Sequence, residues 1–370
     1  MQRRIELDFL RGAAILLVLG RHTWLDNKHV GFFSGFAMLW ERFGWTGVDA
    51  FFVLSGFLIG GLLFKEIKQT GHLDVKRFLV RRMFKIWPAY YVFFTYVLIE
   101  QLFRFHKGWE GVKALIPNLL HIQNYVIMDP LRGQTWSLAV EEHFYLALPL
   151  LLWFLLRRQK NVHYLPWITL LVAGICLSLR CYNVAHHPFD VFRDLFATHI
   201  RIDSLLWGVL LAYCHTLRPE WLEVVRRHPL AVCVAGLCLI SPMLYLDVTA
   251  PFVLTIGFTL LYLGYGCILL AIMHIPPQSI VFGWLGSRPV KAVAWIGTAS
   301  YSIYLWHIDA GQHFVADHAN WFVSSSPERS WLMAITVYMT MSIGVGWIMS
   351  KLIEQPALKL RERFAPSRTR

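Results

Sequence analysis

Long hydrophobic runs alternate with short polar connections along the chain. A membrane-crossing helix needs about 20 mostly apolar residues, and about ten runs come near that length. They are Phe9 to Trp24, Trp45 to Phe64, Ile86 to Phe103, Trp136 to Leu156, Leu165 to Val184, His199 to Thr216, Pro229 to Leu246, Pro251 to His274, Val293 to Ala310 and Trp331 to Ser350. Within hydrocarbon each backbone N–H and C=O must be satisfied by the segment itself, which makes such runs helices. The predicted fold class is all-α: a polytopic integral membrane bundle of about ten transmembrane helices. One domain covers residues 1–370, with a short cytoplasmic tail over 351–370.

Composition agrees with this pattern, since 56% of the 370 residues are hydrophobic and 15% aromatic, too apolar for ordinary soluble packing. The net charge of +12 would on a soluble protein raise nucleic-acid binding. Here most basic residues fall in alternate connections: Lys65 to Lys85 after the second run, Arg218, Arg226 and Arg227 after the sixth, and Lys351, Lys359, Arg361 and Arg363 after the last. That asymmetry predicts an integral membrane protein with both termini in the cytoplasm, the bilayer rather than nucleic acid being its partner. The 6 cysteines form no CxxC pair, so neither a metal site nor a disulfide framework is expected. Arg3 and Arg4 precede a short apolar run as in a signal peptide, but Glu6, Asp8 and Arg11 interrupt it and no A-x-A site follows; a retained first helix is expected. There is no internal repeat and no linker to a separate soluble domain.

Ionisable residues at membrane depth are costly and usually face a bundle interior or a watery cavity. Arg11 and His22 lie eleven positions apart, close to three whole turns and about 16 Å of rise, so both side chains point the same way. Asp49 opens a helix with small residues at Ser55, Gly56, Gly60 and Gly61. Ser137 can cap a helix whose first turns carry Glu141 and Glu142, two adjacent acids pointing about 100° apart. Arg201 and Asp203 begin the sixth run, and Tyr301, Tyr304 and His307 lie in the ninth. The predicted topology puts His22, Glu141, Glu142, Arg201, Asp203 and His307 in the outer half. A histidine with a carboxylate partner suits general-base work near neutral pH. The competing explanation is structural ion pairing between helices, with Arg201 on Asp203 or a glutamate.

On the cytoplasmic side, VKRFLVRRMFKIWPAYY brings Arg81, Arg82 and Lys85 to the start of a helix. Such a cluster can anchor to anionic headgroups or grip the phosphates of a nucleotide-like ligand. The residues alone leave both open.

Together, LDFLRGAAILLVLGRHTW, GVDAFFVLSGFLIG, RRMFKIWPAYY, TWSLAVEEHFYLALP, RIDSLLWGVLLA, IGTASYSIYLWH and KLIEQP resemble, in order and over nearly the whole chain, the acyltransferase-3 family of membrane O-acyltransferases. The resemblance implies that His22 is the essential histidine and Arg11 its spaced partner. It implies that Arg82 and Lys85 stand at the family's RxxR pair for the acyl-coenzyme A donor, and that Glu141, Glu142 and Arg201 belong to the functional core. Lys85 replaces the second arginine and loses the forked donor geometry, and His143 stands where glutamine is usual. The chain resembles the stand-alone form without an attached periplasmic hydrolase-like domain.

The expected reaction is transfer of an acetyl or other short acyl group from cytoplasmic acyl-coenzyme A, a substrate rather than a bound cofactor, to a hydroxyl of an extracytoplasmic glycan or glycolipid. In it, His22 is the base, oriented by Asp49, Glu141 or Glu142, and a polar funnel past Arg11 carries the donor arm. The rival expectation is a transporter or flippase for a sugar-linked substrate, which broken helices and inverted repeats would favour.

Overall fold

In a computed structural model, residues 4–23, 34–126, 130–157, 162–275, 283, 286–324 and 326–366 are described. The expectations on Arg3 and Trp24 lie outside the described residues. Every regular element among those described is helical. The main ones are α1 (Ile5–Arg21), α2 (Ser34–Gly44), α3 (Gly47–Thr70), α4 (Val75–Ile99), α5 (Trp136–Arg157), α6 (Leu165–His186) and α7 (Ile202–Leu217), followed by α8 (Pro229–Ile240), α9 (Phe258–Met273), α10 (Arg288–Gly297), α11 (Ser300–Trp306), α12 (Pro327–Met349) and α13 (Gln355–Phe364).

Among the described residues five helical stretches are long and apolar enough to cross a membrane: Gly47–Thr70, Gly133–Arg157, Val162–His186, Val253–Met273 and Pro327–Phe364. A sixth arises if Pro219–Arg227 and Pro229–Leu244, bent by 91° at their junction, count as one span. The all-α membrane bundle is therefore observed, whereas the expected count of about ten is not reached on length and composition. The difference has local causes. α1 and α7 have only 17 and 16 residues, and the first half of α4 carries the basic cluster. The expected Val293 to Ala310 span is broken between Gly297 and Ser300. That break lies where α10 runs against α1: a Cβ added to Gly297 would fall 1.9 Å from the carbonyl oxygen of Asp8.

A similar backbone approach joins α3 to α7. A Cβ on Gly56 would meet the Leu205 carbonyl at 1.9 Å, and one on Gly208 the Val53 carbonyl at 2.2 Å, so these small residues permit the close packing expected of them. The two larger of three apolar clusters among the described residues flank the site. One is built largely from α3, α5 and α7 (Phe52, Leu63, Phe144, Leu152, Val209), the other from α1, α4, α11 and α12 (Ile15, Leu19, Phe93, Ile303, Tyr338). Val48 and Tyr301 pack against both, marking the seam between them. On the outside of α6, Trp167, Leu170, Leu171 and Ile175 are exposed, an apolar face suited to lipid.

Local caps then set the two ends. α3 stops at Gly71, whose φ of 74° suits glycine and whose N–H donates to the Ile67 carbonyl. Three residues later the Asp74 carboxylate accepts the Arg77 N–H at 3.0 Å and caps α4. This tight reversal positions Arg77, Arg81, Arg82 and Lys85 at what is here called the basic end. At the other end of α1, the last carbonyls, which a helix leaves without internal partners, are taken up from outside. Trp40 Nε1 donates to Leu16 at 2.9 Å, the Tyr338 hydroxyl to Leu19 at 3.0 Å and the Thr23 hydroxyl to Gly20 at 3.1 Å. His22 is thereby fixed at the C-cap.

Candidate functional site

Two cavities lie along the seam. The one at the basic end, about 400 Å³, is walled by Arg11, Arg82, Lys85, Ser137, Glu141, Tyr301 and Tyr304, with an apolar lining that includes Leu54, Leu58 and Ile59. The one at the histidine end, about 470 Å³, is walled by His22, Arg21, Arg201, Gln134, Gln312, His313 and Tyr304 and by the rings of Trp45, Trp136, Phe196 and Phe258. Val48 and Tyr304 line both. The single polar funnel expected from the sequence is thus resolved as two chambers that abut at one aliphatic and one phenolic side chain. Tyr304 is pinned there: Ser137 Oγ lies 2.7 Å from its hydroxyl, which donates to the Gln134 carbonyl at 2.7 Å. Since the phenol proton goes to that carbonyl, the serine is the donor to the phenol oxygen.

The sequence expectation that Arg11 and His22 face the same interior holds, one in each cavity. The expectation that an acid orients His22 does not. Asp49, fully buried, accepts from Arg201 at 2.8 Å. Glu141 accepts from the Tyr145 hydroxyl at 2.5 Å, and that hydroxyl also lies 2.6 Å from Ser55 Oγ. Glu142 faces Trp87 Nε1 at 3.3 Å. Of these two cavities Glu141 lines the basic one, and Asp49 and Glu142 line neither. The physical reason is that a carboxylate at depth takes the strongest donor its packing supplies, and for Asp49 this is an arginine 152 positions away.

The ring beside His22 belongs instead to His307, with centroids 5.1 Å apart. His307 is fully buried and its Nδ1 sits 2.7 Å from the Tyr304 carbonyl. A carbonyl only accepts, so Nδ1 carries the hydrogen and Nε2 is left with a lone pair. Among the described residues that Nε2 has no partner.

Arg201 does not pair with Asp203 or a glutamate. It bonds Asp49 and lies with Cζ 3.9 Å from the Phe258 ring centroid, while Asp203 pairs with Arg180 at 2.8 Å, both fully buried. Three members of this four-residue network stood out in the sequence; the fourth, Arg180, in the second half of α6, did not. At the basic end, Arg81 lines neither cavity and pairs with Glu362 at 2.9 Å. Lys85 pairs with Glu354, whose other oxygen accepts from Ser302 at 3.0 Å and Ser350 at 3.3 Å. Tyr301 donates to the Ile86 carbonyl at 3.0 Å. Glu354, Leu358 and Arg361 also line the basic cavity. Their 354, 358, 361 spacing is one helix face, a signal present in the sequence but not used. Among the described residues no cluster of three or more His, Cys, Asp or Glu is arranged to hold a metal.

The family model described as an acyltransferase domain matches residues 4–351. The chain is 30% identical over 326 residues to the peptidoglycan O-acetyltransferase OatA of Listeria monocytogenes, covering 82% of this chain and 48% of that protein. It is 29% identical over 322 residues to a putative O-acetyltransferase of Staphylococcus aureus strain COL, with 81% and 49% covered. To the O-acetyltransferase OatA of Staphylococcus aureus strain NCTC 8325 it is 28% identical over 286 residues, with 72% and 46% covered. The chain spans about half the length of these curated relatives. No solved structure is significantly similar to it. By the extent of the family match, the chain belongs to the acyltransferase-3 family of integral membrane acyltransferases.

Proposed function

We propose that this protein moves an acetyl or other short acyl group from acyl-coenzyme A at the basic end to a hydroxyl of a glycan or sugar-containing lipid at the histidine end. The observation that carries this function is the abutment of two cavities of opposite character at Val48 and Tyr304. Phosphates suit the guanidinium groups of the basic cavity, and the apolar wall of Leu54, Leu58 and Ile59 suits a pantetheine arm. Sugar rings suit the faces of Trp45, Trp136, Phe196 and Phe258. The excess of basic residues on one side supports a cytoplasmic donor end and an acceptor end outside. The relatives named O-acetyltransferases support the class of reaction.

In the reaction, one ring nitrogen of His22 takes the proton of the acceptor hydroxyl while its oxygen attacks the thioester carbonyl carbon. The carbon–sulfur bond then breaks, and the imidazolium returns the proton to the departing coenzyme A thiolate. Orientation of His22 falls to His307, the neighbouring ring, whose free Nε2 lone pair is the acceptor for the other His22 N–H and so selects the tautomer a base requires. Positioning two substrates on either side of Tyr304 supplies the rest of the rate.

The break between Gly297 and Ser300 is also a feature of transporters, so an uptake reaction is the second function to test. Membranes carrying the protein are assayed with labelled acetyl-coenzyme A and with a labelled sugar in its absence. His22→Ala is expected to lower acyl transfer by about 10²–10⁴-fold. Unchanged transfer in that variant removes the proposed base, and uptake without coenzyme A replaces the enzyme with a transporter.

A further inference from the structure

The residues after Met349 do not leave the bundle. α12 and α13 form, through the π turn Ser350–Glu354, one helical stretch of 38 residues from Pro327 to Phe364. At 1.5 Å per residue this is about 57 Å, well beyond a hydrocarbon thickness of about 30 Å. Its last turns therefore extend past the bilayer at the basic end, alongside the start of α4. There the Phe364 and Phe84 rings stack with centroids 5.8 Å apart, Arg77 donates to the Pro366 carbonyl at 2.6 Å, and Arg81 reaches both Glu362 and the Ala365 carbonyl. Much of the basic cluster that the sequence marks as a phosphate clamp is thus engaged in holding α13 in place.

What remains inside the cavity is one cation without an ion pair. Arg82 makes none with a described residue, and its buried Nε has no hydrogen-bond partner. It sits in the positive field of Arg81, Arg361 and Arg11, with Glu141 and Glu142 acting on it from beyond ion-pair distance. Arg361, from α13, enters the same cavity and shares the Glu362 carboxylate with Arg81, at 2.7 and 2.9 Å. A buried guanidinium without a partner, facing other cations, is unfavourable unless an anion joins them. Arg361 also lies beyond the residues matched by the family model.

We infer that Arg361 is a donor-binding residue: α13 forms a wall of the acyl-coenzyme A site, and Arg361 with Arg82 holds the donor's phosphates. This rests on the assignment of the donor to the basic cavity. When the phosphates bind, they compete with Glu362 for Arg361, so removing that carboxylate's charge favours the donor. A structural latch behaves oppositely, because Glu362 ties α13 to α4.

The test uses the full chain in membranes and two variants. Arg361→Gln is expected to raise the acetyl-coenzyme A KM about tenfold with kcat within about twofold, and Arg361→Lys recovers part of the loss. Glu362→Gln is expected to lower the KM. With acetyl-3′-dephospho-coenzyme A as donor the penalty of Arg361→Gln shrinks if it is the 3′-phosphate that Arg361 holds, and persists undiminished if it is the diphosphate; either pattern accompanies a raised KM. Binding of unacylated coenzyme A, measured directly, separates the two levels. Absent saturable binding to the unmodified protein overturns the donor assignment itself. Normal binding there, with equal binding to Arg361→Gln, overturns only the role of Arg361. A raised KM in both Arg361→Gln and Glu362→Gln makes α13 a structural latch and likewise overturns it.

Discussion

The two ends of the seam use charge in opposite ways. At the histidine end the buried charges cancel: Asp49 with Arg201 and Asp203 with Arg180, each at 2.8 Å and sealed from solvent. What is left for chemistry is a pair of imidazoles beside an aromatic wall. At the basic end one cation, Arg82, has no ion pair with a described residue: Lys85 and Arg361 pair with Glu354 and Glu362 on the last helical stretch, where Glu362 is half exposed, Arg11 pairs with Asp8, and Glu141 of the same cavity accepts from Tyr145. The first arrangement holds geometry with no net charge to attract an ion; the second is incomplete without an anion. A site that removes a proton needs the former, and one that binds a polyanionic donor needs the latter.

Removing one partner from a cancelled pair is the largest expected disturbance. Asp49→Leu leaves Arg201 buried without its carboxylate and is expected to cost about 3–5 kcal/mol of stability, read as loss of folded protein after detergent extraction and heating. A catalytic role for Asp49 predicts instead a normally stable protein with lost turnover. At the basic end the same kind of change has smaller consequences and divides between binding and structure. Arg82→Gln is expected to raise the donor KM by about tenfold with little change in stability. Lys85→Gln is expected to lower the melting temperature, since it strips Glu354 of its cation, and to change the donor KM less than Arg82→Gln does. Equal KM effects of the two would return Lys85 to the clamp that the RxxR spacing implied.

How far the sequence could be read follows from the same contrast. Long apolar runs such as those of α3, α5, α6 and α12 announce themselves, because only a helix can carry them through hydrocarbon. The break at Thr298 and Ala299 does not, since it depends on α1 passing close to Gly297. Arg11, His22, Glu141, Tyr301 and Tyr304 were legible as cavity residues because polar groups in apolar runs must face something polar, whereas Ser137, read as a cap, lies inside a helix that starts at Trp136. Partner choice was not legible. Asp49 finds Arg201 and Asp203 finds Arg180 through helix packing, and His22 finds another histidine in the same way. The C-terminal helix was hidden for a different reason: with only 10 residues, most of them polar or charged, it reads as a tail until its Glu354, Leu358 and Arg361 face meets the cavity.

Everything above depends on acyl passage at Val48 and Tyr304. The direct measurement is a structure of the protein bound to a non-transferable acetyl-coenzyme A analogue, with a ketone in place of the thioester. The phosphates are expected against Arg82 and Arg361, and the ketone carbon beside Tyr304 within reach of an acceptor held at His22. An analogue lying outside the basic cavity, or one whose ketone stops short of Tyr304 with the two chambers still closed off from each other, contradicts transfer along this seam.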